Sequence, residues 1–466
     1  MLTEDGLISM EKRVMLKPYQ ARSPKQYEEM SDIEVWKGGN QGNALIGDSE
    51  SYLNYFLVAF KCVKTNKIIT MDLGDKDDFK RQKLSYILQS YTIVGFNFIK
   101  YDRVILWFAY NRQDTEDIQK VSYDIIQGQR ASDIEQAYNF KIPKTKIIDL
   151  IEVCPLKGSL KLYGARIHSP RIQDVPFTVH EPLSVDKIPI IKDYCINDLD
   201  EIHRRYNFLQ DRLELRKIMS IEYKDDLMSK SDAQIAESVI GKELYKKTGK
   251  YPKRPEIDPN QSYKYWIPDF LQYQTNTMRT VLEKIKAANF TLDETSYLHV
   301  PKELMQPIQI GQAFYQMGVG GLHSLEKNVS YKANADNLII DRDVASYYPY
   351  IILNQGLYPL HLGPEFLEIY RNIVERRLAA KKAGNKTADR GLKVTINGTF
   401  GKTASYWSFL RSPEMFIQIV ITGQLALLML IERIELAGIK VISANTDGVV
   451  SLCPQSEYER LNVVIK

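Results

Sequence analysis

Residues 338–353 read LIIDRDVASYYPYIIL. The first half is an apolar strand carrying Asp341 and Asp343, two residues apart, so a strand turns both acids to one face. The second half, Ser346-Tyr347-Tyr348-Pro349, takes the chain out of the strand and into a helix. A strand end that delivers an acid beside exposed backbone N–H groups can hold a metal and a polyphosphate together. Taken alone, the same stretch is also what a sheet edge with solvated acids looks like.

Downstream, Arg371, Arg376, Arg377, Lys381 and Lys382 lie on a helical stretch. By itself that is a solvated basic face. Lys393-Val-Thr-Ile-Asn397-Gly398-Thr399-Phe400-Gly401 follows. Lys393 and Asn397 are four apart, hence on one helical face, where a lysine can neutralise charge developing on a phosphate. The glycines permit close approach of a neighbouring group. The run Ile419 to Ile431, interrupted by Thr422, Gly423 and Gln424, is too short to span a bilayer and reads as a buried helix. Then KVISANTDGVVSL (440–452) sets two β-branched strands around an Asn-Thr-Asp-Gly turn, a hairpin signal. Asp447 at its tip is either a plain turn residue or the partner of Asp343 across bound metal. From Leu338 onward the expected order is strand, helix, helix, long helix, hairpin.

Upstream, YFLVAFKCV (55–63) and YTIVGFNF (91–98) read as strands, and 188–213 as a long helix. Three acidic segments accompany them. Asp32-Ile33-Glu34 would turn two carboxylates to one face of a strand. Asn97-Phe98-Ile99-Lys100-Tyr101-Asp102 follows an apolar strand. Tyr194 and Asp198 are one turn apart on the helix. Carboxylates gathered in one place repel one another unless cations neutralise them, and hard oxygen ligands suit Mg²⁺ or Mn²⁺. Asp133-Ile134-Glu135 repeats the first pattern but follows Ser132 and precedes Gln136-Ala137, which reads as a capped helix start. Residues 226–310 are lysine-rich with scattered prolines and are expected to form a connector.

The chain has 466 residues, 44% of them apolar and 26% charged, with a net charge of +4. That composition fits a soluble protein of two or three domains. The four cysteines are scattered without a CxxC pair, so neither a zinc ribbon nor a disulfide framework is indicated. The opening MLTEDGLISMEKR has no signal-peptide core.

Taken in order, these motifs resemble those of the family B DNA polymerases of bacteriophage type. DVASYYP resembles DxxSLYP, KVTINGTFG resembles KxxxNSxYG, and ANTDG resembles YxDTDS. The acidic segments resemble the DEDD proofreading exonucleases, with SLKLYGARI (159–167) similar to a structural segment between their second and third motifs. Gly318-Val-Gly320-Gly321-Leu-His323-Ser324 resembles the YxGG-type link between the two modules. The resemblance covers roughly residues 30–215 and 310–455.

That resemblance implies an α/β and α+β multidomain chain, with an RNase H-like exonuclease domain followed by a right-hand palm and short helical fingers. The expected boundaries are an arm over 1–30, a 3′→5′ exonuclease over 31–225, a connector over 226–310, palm over 311–363, fingers over 364–402 and palm again over 403–466. It implies template-directed DNA synthesis with proofreading in phage replication, in the host cytoplasm, using two Mg²⁺ or Mn²⁺ ions per site. It assigns Asp343 and Asp447 as polymerase metal ligands, and Asp32, Glu34, Asp102 and Asp198 as exonuclease ligands, with Tyr194 orienting the water. Ala345, Ser346, Tyr347, Tyr348, Arg377, Lys381, Lys393 and Asn397 would receive the dNTP, Tyr348 as the gate against a 2′-OH. Asn97, Tyr101, Gly320, Gly321, His323 and Gly398 would contact primer–template DNA. Val35 stands where many relatives have Thr, and Asn445 where the first Asp of DTD lies. The family continues into a thumb beyond Lys466, so a missing thumb segment or replisome proteins are expected as partners, and no membrane. Two rival functions stay open: a 3′→5′ exonuclease with an inactive polymerase half, and a non-catalytic primer–template-binding replisome subunit.

Overall fold

The structure, a computed structural model of the chain, describes residues 27–75, 79–156, 158–293 and 297–466. Most of the arm expected over residues 1–30 lies outside the described residues. The chain forms two compact units, one from the chain up to Ser220 with Asp226–Ser231, the other from Ile221–Asp225 with Asp232–Lys466.

The first unit is built on a five-stranded sheet in the order β3-β2-β1-β4-β5. Its strands are β1 (Ala44–Tyr52), β2 (Tyr55–Cys62), β3 (Ile68–Leu73), β4 (Thr92–Gly95) and β5 (Lys146–Asp149). β1, β2 and β3 form an antiparallel meander, while β4 and β5 add in parallel to β1. Both faces of β2 are covered, which is why its apolar run is continuous rather than alternating. Phe56, Val58 and Phe60 enter one core; Tyr55, Leu57 and Ala59 enter the other.

Helices α1 (Asp32–Asn40), α2 (Arg81–Ser90), α3 (Asp102–Asn111), α4 (Thr115–Ile126) and α5 (Ala131–Tyr138) contribute to the first of these cores. The second core is closed by α6 (Leu150–Val153), α7 (Leu160–Arg166) and the long α8 (Ile188–Phe208). On α8, Ile188, Ile191, Cys195, Leu199 and Ile202 recur at three- and four-residue steps and are all buried. α9 (Gln210–Tyr223) follows and spans the boundary between the units.

The second unit carries a six-stranded antiparallel sheet in the order β11-β13-β12-β10-β9-β8. These strands are β8 (Ile308–Ile310), β9 (Ala313–Gln316), β10 (His323–Ser324), β11 (Asn337–Asp343), β12 (Lys440–Asn445) and β13 (Gly448–Pro454). The short strands β6 (Thr291–Leu292) and β7 (Leu298–His299) pair separately. Its helices are α10 (Asp232–Thr248), α11 (Asn276–Ala287), α12 (Tyr347–Asn354), α13 (Glu365–Lys382), α14 (Lys386–Thr403), α15 (Pro413–Leu436) and α16 (Tyr458–Ile465).

α15 is longer than the apolar run 419–431 indicated: 24 residues, enough by length and composition to cross a membrane. Most of it is buried inside the second unit, and its polar side chains have specific partners there. Gln424 exchanges hydrogen bonds with both backbone groups of Gly318, each at 2.8 Å. Glu432 accepts from the N–H groups of Gln274 (3.0 Å) and Thr275 (2.9 Å), fixing the start of α11. Buried polar groups paired in this way specify one packing arrangement.

Residues 232–310 do not stand apart as a connector. α10 lies against α14, and Tyr265, Tyr273, Met278, Ile285 and Phe290 enter the core around α15. The expectation failed because the lysines mark the exposed side of this stretch, while Tyr263, Tyr265, Tyr273 and Phe290 mark a buried side.

Candidate active sites

In the first unit, strand alternation places Ile46, Asp48, Glu50 and Tyr52 of β1 on the sheet face covered by α8. Opposite them α8 presents Tyr194, Cys195 and Asp198, all buried. Carboxylate oxygens of Asp48 and Glu50 and the Cys195 sulfur lie within 4.8 Å of one another. Asp102, at the first turn of α3, accepts from the Ser49 hydroxyl at 2.6 Å.

The carboxyls feel one another. Burial, then the charge of Asp102, pushes Asp48 well above the usual carboxylate range; burial, then Asp198, does the same to Glu50. Burial raises Asp102 to about 7 and Asp198 to about 6, against the stabilising bonds from Ser49 and Tyr194. Acids held together at that penalty, with oxygen ligands converging, fit divalent cations of the Mg²⁺ or Mn²⁺ kind. Burial, then the charges of Asp48 and Glu50, also pushes the Cys195 thiol far up.

Asp32 and Glu34 are not in this cluster. They lie in the first turn of α1, a helix rather than the expected strand. Ser31 and Glu34 form a capping box: the Glu34 carboxylate accepts from the Ser31 N–H at 2.8 Å, and the Ser31 hydroxyl accepts from the Glu34 N–H at 3.3 Å. Asp32 is exposed and pairs with Lys83 at 2.8 Å, Glu34 with Lys67 at 2.8 Å. The Lys83 hydrogen bond holds Asp32 low, and the Lys67 and Ser31 bonds hold Glu34 down to about 2. These are satisfied surface carboxylates. The repeat at Asp133–Glu135 also lies at the start of a helix, α5, where Asp133 accepts from the Arg130 N–H at 3.0 Å; Arg130, not Ser132, holds the cap position.

Two supporting residues were not among the expected site residues, although Lys161 lies in the SLKLYGARI segment. Asp149, at the end of β5, accepts from the N–H groups of Asn97 (2.8 Å) and Ile99 (2.9 Å) and so shapes the turn that leads to Asp102. Asn97 takes a left-handed backbone conformation there, with φ 61°. Lys161 of α7 donates to the Tyr194 hydroxyl at 2.9 Å and lies 5.2 Å from that ring's centroid. Its charge partly offsets the acids, lowering Glu50 and Asp198. Tyr101 is half-buried, its hydroxyl 2.7 Å from Ser122.

In the second unit, β11 and β13 pair so that Asp343 stands across from Gly448, and the Val344 N–H donates to the Asp447 carbonyl at 2.8 Å. Gly448 is required by this approach: a Cβ would run into the Asp343 carboxylate. Burial and the charge of Asp343 raise Asp447. Thr446 completes the turn at φ 54°, and its N–H donates to the Leu322 carbonyl at 2.8 Å.

Beside the turn opens a cavity of ≈ 440 Å³ lined by Ser346, Tyr348, Arg377, Lys393, Asn397 and Asp447, among others. Ser346, at φ 51°, precedes the first turn of α12. Arg377 donates to the Ser346 hydroxyl at 3.1 Å and pairs with Asp389 at 3.1 Å, which fixes the guanidinium. The neighbouring Arg376 pairs with Glu222 instead. Tyr348 is wedged against Phe400, with ring centroids 4.5 Å apart, and its hydroxyl donates to the Gly320 carbonyl at 2.9 Å. Lys381 is exposed in the last turn of α13 and is not among the residues that line this cavity.

The chain is similar to a solved family B DNA polymerase. That structure comes from the hyperthermophilic archaeon Pyrobaculum calidifontis, with 14% identity and a TM-score of 0.49. The match covers 90% of this chain and 54% of that one, so this chain spans about half of its length. No protein-family model and no curated protein matches the chain.

Two glycines expected at the DNA are closely packed. A Cβ on Gly398 would lie 2.7 Å from Ala236 and 2.8 Å from the Asp232 carbonyl, so this glycine lets α14 close on α10. Gly401, eight residues after Lys393, has open space around it. Gly321 is buried against Thr446, where a Cβ would lie 2.7 Å from its hydroxyl. Gly320 and His323 are exposed, and His323 pairs with Asn445 across the sheet.

Proposed function

We propose that the chain is a family B-type enzyme of viral DNA replication, pairing template-directed nucleotidyl transfer in the second unit with 3′→5′ hydrolysis in the first. One observation carries this: Asp447, on a hairpin turn, lines a cavity whose wall carries Lys393, Arg377 and Asn397, and Asp343 stands across the sheet from the next residue, Gly448. An acid pair facing a cationic wall is what a metal-bound triphosphate requires.

In this proposal β8–β13 and α15 act as palm and α13–α14 as fingers. Divalent cations, when bound, would activate the attacking oxygen and stabilise the leaving one. Asp343 and Asp447 would hold them. Lys393 and the Asp389-braced Arg377 would take the charge accumulating on the β- and γ-phosphates, while the backbone from Ala345 to Tyr347 orients the triphosphate. Tyr348, locked by Phe400 and the Gly320 carbonyl, would present a rigid face to the sugar and exclude a 2′-OH.

In the first unit, Asp48, Glu50, Asp102 and Asp198 replace the ligand set expected from sequence. Tyr194, bonded to Asp198 and Lys161, would orient the attacking water. Asn97 and Tyr101 would receive an unpaired 3′ end, since melting a correct pair costs more than melting a mismatch.

The test is a labelled primer annealed to a template, incubated with Mg²⁺ and with or without dNTPs. Extension with dNTPs and 3′ shortening without them are expected. Shortening in both conditions would leave only the exonuclease, and neither activity would leave a binding subunit.

A further inference from the structure

Beyond the cavity, α14 ends at Thr403 and the chain enters a loop that displays Tyr406 and Trp407. Trp407 is 78% exposed, an unfavourable place for an indole unless something covers it in use. The loop is nevertheless held firmly. Glu237 of α10 accepts from the Ser408 hydroxyl (2.7 Å) and the Phe409 N–H (3.1 Å), and pairs with Lys402 at 2.8 Å.

Cations surround these rings. The Arg254 guanidinium lies 4.4 Å from the Tyr406 centroid and 5.3 Å from that of Trp407, and Arg411 lies 4.7 Å from Tyr406. Next to them Tyr245 and Tyr251 stack with centroids 5.0 Å apart, both about half exposed. Gly241 joins the two groups: a Cβ there would lie 3.2 Å from Phe409 and 3.8 Å from Tyr251. The stretch from Lys242 to Arg254 contains six cations (Lys242, Lys246, Lys247, Lys250, Lys253, Arg254) and one acid, Glu243. Glu243 is itself paired with Lys246 at 2.6 Å.

We propose that this surface is a stacking platform for single-stranded DNA, with Trp407 and Tyr251 receiving bases and the 242–254 cations receiving phosphates. Unpaired bases have free π-faces that stack on aromatic rings, and a positive groove tracks their backbone. Arg254 belongs to both functions, as a cation and as a planar partner for the rings. A duplex already has its bases stacked and would use only the cations. The platform begins seven residues after cavity-lining Phe400, so the strand it suits is the unpaired template ahead of the cavity; that assignment rests on the proposed function, whereas the binding does not.

The experiment measures fluorescence anisotropy of the full chain with three nuclease-resistant probes: a mixed-sequence single strand, a duplex with a 5′ overhang of about ten nucleotides, and the same duplex blunt. Trp407→Ala should weaken binding to the single strand and the overhang by about 5- to 50-fold, with the blunt duplex within about 2-fold of wild type. Trp407→Phe should keep most of the affinity, which separates lost stacking from misfolding. Lys253→Ala should weaken all three probes and reduce the salt slope by about one. Equal loss on the blunt duplex, or no loss on any probe, would overturn the platform. A wild type that extends no primer, yet binds single strands through Trp407, would sink the proposed polymerase and leave the platform standing. Normal extension with an indifferent Trp407→Ala would do the reverse.

Discussion

The two acidic sites of this chain solve the same electrostatic problem differently. In the first unit, carboxylates from β1, α3 and α8 are brought together in a recess, and all four are raised. In the second, Asp343 sits exposed at the end of a strand and Asp447 on a turn beside an open cavity, where burial and the charge of Asp343 raise Asp447. Water screens the second pair more than the first set, where Asp102 and Asp198 are buried and Asp48 and Glu50 half-buried. A recessed cluster therefore depends on cations for its own stability, whereas a rim pair needs them only for chemistry.

The largest expected effect separates the sites by activity. Asp447→Ala should reduce primer extension by about 10³-fold or more and leave 3′ shortening unchanged, as read from single-turnover gels. Loss of both would mean that the two sites are not independent. Next, Lys393→Ala should lower extension by about 10²- to 10³-fold through kcat, with less change in primer–template affinity.

A third prediction concerns stability. Asp102 and Asp198, at about 7 and 6, lie above their ordinary value. A raised carboxyl favours the fold when protonated, so its contribution is fully present below pH about 4 and is lost as pH rises through 6 and 7. In chelator, the Tm of the first unit should fall between pH 5 and 8, and Mn²⁺ should restore it most at the alkaline end. A pH-independent Tm would remove the electrostatic contrast between the sites. The smallest effect belongs to the surface pair: Ser31→Ala should lose about 1 kcal/mol of helix capping and leave both activities intact.

Much of this was legible in the sequence, because periodicity reports burial. β2, β4, α8, β11 and the β12–β13 hairpin lie close to where their apolar patterns indicate. β1 escaped because GDSES is polar on a strand otherwise lined with Leu45 and Ile46; a site strand breaks the alternation that would reveal it. Asp32–Glu34 misled for a reason that was itself readable. Ser31-x-x-Glu34 is a capping box, the same kind of argument that set aside Asp133–Glu135. Likewise, helical spacing from Lys393 through Asn397 leads to Gly401, not Gly398. Asp149 left no local signal, since its partner Ile99 is 50 residues away, and SLKLYGARI did not single out Lys161, whose partner Tyr194 is 33 residues away.

The most direct test compares two double variants in Mn²⁺-dependent shortening of a single-stranded oligonucleotide. Asp48→Ala with Glu50→Ala should abolish shortening, while Asp32→Ala with Glu34→Ala should retain it within about 2-fold. Retention in the first and loss in the second would return the metal site to α1 and contradict the account.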